Sequence, residues 1–196
     1  MRTRISIGLL LTMTLLQGCG YNRLVSFQQE VEKQWAQVQN VYQRRADLIP
    51  NLVATVSGAA NFEKSTLVEI TQARASVGKV DVSGALNDPA KFAEFEKAQS
   101  QLSSALSRLL VVVERYPELK ANSNFLELQA QLEGTENRIS VERGRYNDVV
   151  KQYNTAIKSF PTLTYAGMFG FKDKPYFTAT AGAETPPKVN FDFSGK

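Results

Sequence analysis

Gln43-Arg44-Arg45-Ala46-Asp47-Leu48-Ile49-Pro50-Asn51-Leu52 is the stretch on which the fold turns. It lies inside a pattern that predicts one long helix from about Asn22 to about Ala60. Leu24, Val31, Val38, Arg45, Leu52 and Ala59 recur every seven residues, and Gln28, Trp35, Tyr42, Ile49 and Val56 form a companion seam. This is the a/d pattern of a helix packed lengthwise on other helices. Two residues break its rules. Arg45 places a charge on the apolar seam. Pro50 removes an N–H from the helix interior and crowds the carbonyl of Ala46, which predicts a kink there with that carbonyl taken by water or a polar side chain.

Three further helices follow. Leu67, Ile70, Arg74 and Val77 share a face of a shorter helix over about Phe62 to Val77, so Arg74 is a second arginine near a seam. Asn87-Asp88-Pro89 starts a third helix, with proline suited to the first helical position. Its stripe is Phe92, Phe95, Leu102, Leu106, Leu109 and Val113, and Tyr116-Pro117 stops it. In the last helix, from about Ser123 to Ser159, Phe125, Leu132, Ile139, Tyr146, Tyr153 and Phe160 recur at sevens. Its second seam is Leu128, Thr135, Glu142, Val149 and Ala156, polar in the middle. Beyond Phe160-Pro161, glycines and prolines punctuate an aromatic-rich tail. Val189 to Phe193 alternates like a strand with no partner strand in view, and Thr180 to Lys196 reads as extended or disordered.

Long first and last helices joined by short connections predict an all-α, elongated, up-down-up-down antiparallel bundle with an irregular C-terminal tail. The expected boundaries are a signal peptide at 1–18, a bundle at 19–160 and the tail at 161–196. Counting down each helix from the far end brings Arg45 and Arg74 level with the polar middle of the last helix. A buried guanidinium must be paired, so Arg45 is expected to contact Glu136 or Glu142, with Asn137 and Asp47 as further members of the network. Asn61, Phe62 and Glu63 should meet Pro117, Glu118, Lys120 and Asn122 at the distal tip. That tip is a candidate docking surface, and turn and capping chemistry is the plainer use of the same residues.

The N-terminus reads as an address. Met1-Arg2-Thr3-Arg4 is a basic start, Ile5 to Leu16 is largely apolar but short for a bilayer span, and Leu16-Gln17-Gly18-Cys19 closes it. That tetrapeptide resembles the bacterial lipobox. The resemblance implies cleavage after Gly18 and diacylglycerol on the Cys19 thiol, which anchors the chain by roughly 0.8 kcal/mol per buried methylene. The competing reading is an ordinary signal peptide or an uncleaved anchor. Gly20 in place of aspartate resembles outer-membrane sorting if the host is Gram-negative.

Composition excludes more than it identifies. Among 196 residues there is no histidine and a single cysteine. No Ser-His or Cys-His arrangement, no Glu-x-x-His metal motif and no intrachain disulfide can form. Glu63, Glu69, Glu133, Glu136 and Glu142 supply carboxylates without such a motif, so no metal or cofactor is expected. Removing Arg2 and Arg4 from the 23 basic side chains leaves 21 against 19 acidic ones, so nucleic acid is not an expected partner.

The chain resembles the LemA family in Tyr21-Asn22, Trp35, the Gln43–Leu52 stretch, Ala73-Arg74-Ala75, Tyr116–Asn122, Asn124-Phe125, Glu136-Asn137-Arg138-Ile139, Tyr146-Asn147 and Phe160-Pro161. The resemblance implies a bacterial envelope protein with one N-terminal membrane anchor and a helical domain, some relatives being linked to magnetosome membranes. It implies no accepted enzymatic activity. Many such proteins carry a transmembrane anchor, and the lipobox-like segment departs from that pattern. Two function classes follow: a non-catalytic envelope scaffold or adaptor for a protein partner, and an envelope enzyme or anion binder built on the arginine–carboxylate set. Metabolic palmitate labelling of the wild type, lost in Cys19→Ala, is the outcome a lipid anchor demands; equal labelling of the two rejects it.

Overall fold

The computed structural model describes the backbone over residues 2–59 and 62–178, with side chains from residue 20 onward. Among these residues the fold is all-helical: α1 (Arg2–Ser57), α2 (Lys64–Lys79), α3 (Pro89–Val113), the single turn α4 (Pro117–Lys120) and α5 (Ser123–Lys158). A 3-10 turn over Thr162–Thr164 follows. The first helix was expected to begin near Asn22. Instead α1 runs through the N-terminal apolar stretch as one 56-residue element. Cys19 and the strand-like Val189–Phe193 lie outside the residues whose side chains are described, as does Asn61.

Contact pairs give the topology. Gln34 meets Glu142 and Arg45 meets Glu136, so α1 and α5 are antiparallel. Glu63 meets Arg115 and Glu69 meets Arg108, so α2 and α3 are antiparallel as well. Trp35 touches Phe92 and Phe95, whereas Arg45 reaches Gln99 and Ser103, so α1 and α3 run in the same direction. The bundle is therefore up-down-up-down. Local chemistry sets its joints. The Asp88 carboxylate accepts from the N–H groups of Ala90 and Lys91 ahead of Pro89, and the Asn122 side chain accepts from Phe125 N.

The two seams of α1 are buried from Leu24 to Val56 except at half-buried Gln28, and the stripe of α3 is buried throughout. On α5, Phe125, Leu132, Ile139, Tyr146 and Tyr153 are buried, but Phe160 is 83% exposed. Its heptad position has no meaning because α5 ends at Lys158 and the chain turns away. The core falls into two clusters. The lower gathers Leu24 to Tyr42, Phe92, Phe95 and Ile139 to Ile157. The upper gathers Ile49 to Val56, Ile70, Leu102 to Val113, Phe125 and Leu132.

The segment after residue 160 differs most from expectation. Ala166, Phe171 and Phe177 belong to the lower core, so packing does not stop where the bundle was expected to end. Helix α2 is too short to wall the lower half, and residues 171–178 lie there in extended form, running up the bundle. Two asparagines hold them. The Asn154 amide donates to Lys174 O and accepts from Lys174 N, both at 2.9 Å. Asn147 does the same with Phe177 O and Phe177 N, again at 2.9 Å. The spacing is commensurate: seven helical residues rise about 10.5 Å and three extended residues about 10 Å. Each side-chain amide thus replaces the partner strand that the segment lacks. The Phe177 ring stacks on Trp35, packs on Phe92 and Tyr146, and lies under the Arg143 guanidinium.

Asn154→Ala leaves a backbone N–H and C=O buried without partners, and should cost about 2–4 kcal/mol. Phe177→Ala should cost about 3–5 kcal/mol. Urea unfolding curves measure both; midpoints equal to wild type would show that the segment adds nothing to the fold.

Candidate functional site

Arg45 occupies the level between the two apolar clusters and is 1% exposed. It is there because α1 cannot shift its seam by one residue without exposing Trp35, Val38, Ile49 and Leu52. Its Nη1 donates to Glu136 Oε2 at 2.8 Å and to Ser103 Oγ at 2.7 Å. Its Nη2 donates to Gln99 Oε1 at 2.6 Å and to Gln99 O at 3.2 Å. The Tyr42 ring lies 5.1 Å from the guanidinium carbon, and Nε has no partner among the described residues. A guanidinium has five N–H donors, so four are used in one plane.

The expected layer is assembled in part. Glu136 is the carboxylate partner, and its side chain is 56% exposed, so the pair reaches from the core to the surface. Glu142 is not a partner of Arg45. It accepts from Gln34 Nε2 at 2.6 Å and from Arg145 Nη1 at 2.8 Å, lower on the bundle. Asn137 is exposed and takes no part, because the α5 turn that aims Glu136 inward aims the next residue out. Asp47 is exposed and accepts from Gln43, a neighbour on its own helix. Arg74 is exposed too, one residue above the level of Arg45. Its Nε donates to Ala46 O at 3.0 Å, the carbonyl that Pro50 leaves without a helical donor. Pro50 sits inside α1 without ending it.

Gln99 and Ser103 were missed. Phe92, Gln99, Leu106 and Val113 are spaced by sevens, so a heptad reading of α3 puts Gln99 on the core seam. Nothing comparable marks Ser103. Two cavities flank the layer. One of about 320 Å³ is lined by Tyr42, Glu96, Ser100, Arg143 and Thr178. The other, of about 210 Å³, is lined by Leu106, Gln129, Leu132 and Glu133. Burial pushes the Glu96 carboxyl up, against the opposing effects of Thr178 N–H and Arg143. Burial likewise raises the Tyr42 phenol. Lys174, in the extended segment, donates Nζ to Asn87 Oδ1, and burial lowers its ammonium. The layer joins a guanidinium to a carboxylate, an amide and a hydroxyl from two other helices, an arrangement that suits locking the register of α1, α3 and α5.

The residues expected at the tip divide. Phe62 is buried against the Tyr116 ring, and Asn122 is a helix cap. Glu63 pairs with Arg115 and Lys120 with Glu114. Pro117 and Glu118 are exposed on the turn α4. A surface cavity of about 460 Å³ lies between α2 and α3, lined by Glu63, Glu69, Arg108, Val111 and Arg115. Among the described residues no group of acidic or cysteine side chains is placed to hold a metal ion. The five glutamates that could have supplied one are spread over separate ion pairs and hydrogen bonds.

Fold and layer together define an all-helical bundle organised around a buried arginine, with no enzyme-like constellation among the described residues. The chain belongs to the LemA family, whose family model matches residues 34–191. It is similar to Protein LemA of Metamycoplasma hominis, 28% identical over 159 residues, covering 81% of this chain and 69% of that protein. It is also similar to Magnetosome protein MamQ 2 of Paramagnetospirillum magneticum, 27% identical over 183 residues and covering 85% and 67%. Magnetosome protein MamQ of Magnetospirillum gryphiswaldense is 25% identical over 188 residues, with the same coverage.

Glu136→Gln should cost about 0.5–1.5 kcal/mol, since it weakens a charge-assisted bond to a buried donor whose carboxylate partner is more than half exposed to water. In double-mutant cycles with Arg45→Met, Glu136→Gln should show coupling of about 0.5–3 kcal/mol, whereas Glu142→Gln should be additive within about 0.5 kcal/mol. The reverse pattern would assign the layer to the wrong carboxylate.

Proposed function

We propose that this protein is a non-catalytic adaptor of the bacterial envelope, held at a membrane through Cys19, whose bundle presents its distal tip to a protein partner. The single observation that carries the reading is the continuity of α1, Arg2–Ser57. One helix leads from Cys19, the first residue left after cleavage at Gly18, into the core, and from Cys19 to Ser57 it rises about 57 Å. Anything bound at the tip is thereby held at a fixed height. Among the described residues no helix is long and apolar enough to cross a membrane. The reading assigns the anchoring to the N-terminal segment and its lipid. Relatives named as magnetosome proteins support a membrane-associated setting. In a Gram-negative host, Gly20 after Cys19 puts the anchor in the outer membrane on its periplasmic face.

The tip supplies what a docking surface needs. The ion pairs Glu63–Arg115 and Glu69–Arg108 and exposed Val111 line a shallow cavity, and Pro117 and Glu118 are exposed on the turn α4. Their mixed charge suits a polar protein surface. The alternative reading, an envelope enzyme or anion binder using Arg45, has one buried N–H left to offer a ligand.

A photo-crosslinking residue at Glu118, in the full chain in its own cells, should give a discrete protein adduct that the same residue at the exposed mid-bundle position Asn40 does not. Glu63→Lys, which breaks the Arg115 pair, should weaken that adduct. Adducts of equal yield from both positions, or from neither, would refute the adaptor.

A further inference from the structure

Large apolar side chains exposed near the distal end and mid-bundle, such as Val68, Val111, Leu126 and Val141, are scattered singly. At the base they are not. Phe160 is 83% and Met168 85% exposed, with Leu163 and Phe169 exposed on the same short turn region. Scattered apolar residues need no explanation, but a contiguous group does.

The turn is fixed to α1 at the point where the anchor begins. Tyr21 meets the rings of Phe169 and Phe171 edge-on at 5.3 and 5.7 Å. The Tyr165 hydroxyl lies so close to Gly20 that a Cβ there would collide with it. From Cys19, the lipid-bearing residue of the reading above, to Tyr21 is about 3 Å of helix. The exposed group therefore sits beside the anchor and cannot swing away from it. A groove of about 1210 Å³ opens on the same end, lined by Leu24, Phe27, Ala156, Phe160 and Tyr165. Arg23 and Lys151 stand along it, with Asp148 as the one acidic side chain of its lining. Apolar side chains below a basic rim are the pattern of a surface seated in the headgroup and acyl boundary.

We propose that this base is itself lipid-facing: Phe160, Leu163, Met168 and Phe169 insert into the membrane interface, and Arg23 and Lys151 face anionic headgroups. The inference rests on the membrane-anchored reading above and adds a second, non-covalent contact. Two contacts at one end hold the bundle upright, where a lipid on Cys19 alone would leave it free to pivot.

Full-length protein carrying Val111→Met is reconstituted into vesicles of phosphatidylethanolamine and phosphatidylglycerol, floated on a density gradient and treated with chloramine-T. Mass spectrometry then follows sulfoxide formation at Met168 and at the distal methionine. Met168 should oxidise on the order of tenfold more slowly than the distal methionine, as an interface-buried side chain does. Flotation with equal rates at the two positions overturns the lipid-facing base and leaves the anchor standing. Failure to float overturns the anchored reading itself. Protection of Met168 that fades as protein is diluted at constant lipid assigns the patch to a second copy of the chain, and overturns the proposal as well.

Discussion

A guanidinium inside a helical bundle is costly unless it is paired and hydrogen-bonded, and Arg45 imposes that demand at mid-height. Helix α3 meets it with Gln99 and Ser103, and α5 with Glu136. The partners must stand at one level, so the three helices have one permitted register. Apolar clusters above and below could each slide by a heptad with modest loss; the layer between them cannot. The salt bridge is half open to water through Glu136, so its worth lies in specifying an arrangement more than in stabilising it.

Pro50 and Arg74 extend the same logic to the fourth helix. The proline frees the Ala46 carbonyl one residue beyond Arg45, and α2 supplies the donor from Arg74. A helix defect thereby becomes a docking point for a helix that otherwise touches α1 lightly. Below that level α2 gives way, and the extended segment 171–178 completes the wall through Asn147 and Asn154. An asparagine amide matches both backbone groups of one residue, so two of them fix the direction and register of a strand without a sheet.

The two ends of the molecule differ in kind. The distal end carries ion pairs whose charges remain in water, which favour specificity over affinity. At the base, aromatic and aliphatic side chains are exposed beside Gly20 and Tyr21 of α1. One helix, α1, connects the apolar end to the charged one.

Periodicity alone determined the helices and the core. The sevens of α1 and α5 mark residues that face inward, because a helix has one buried stripe and its spacing is set by the backbone. Level-counting along helices of known rise also put Arg45 and Arg74 level with the polar middle of α5, where Glu136 and Glu142 lie, since rise per residue is fixed. The sequence could not choose between Glu136 and Glu142, or exclude Asn137 and Asp47. That choice depends on the rotation of α5 about its own axis, which only packing against α1 and α3 sets. Nor could it show that residues 171–178 belong to the core. An extended segment without a partner strand reads as a tail, because its backbone bonds go to side chains 20 and 30 residues away. Such pairing leaves no local periodicity, and comes into existence only when α5 and the segment lie side by side.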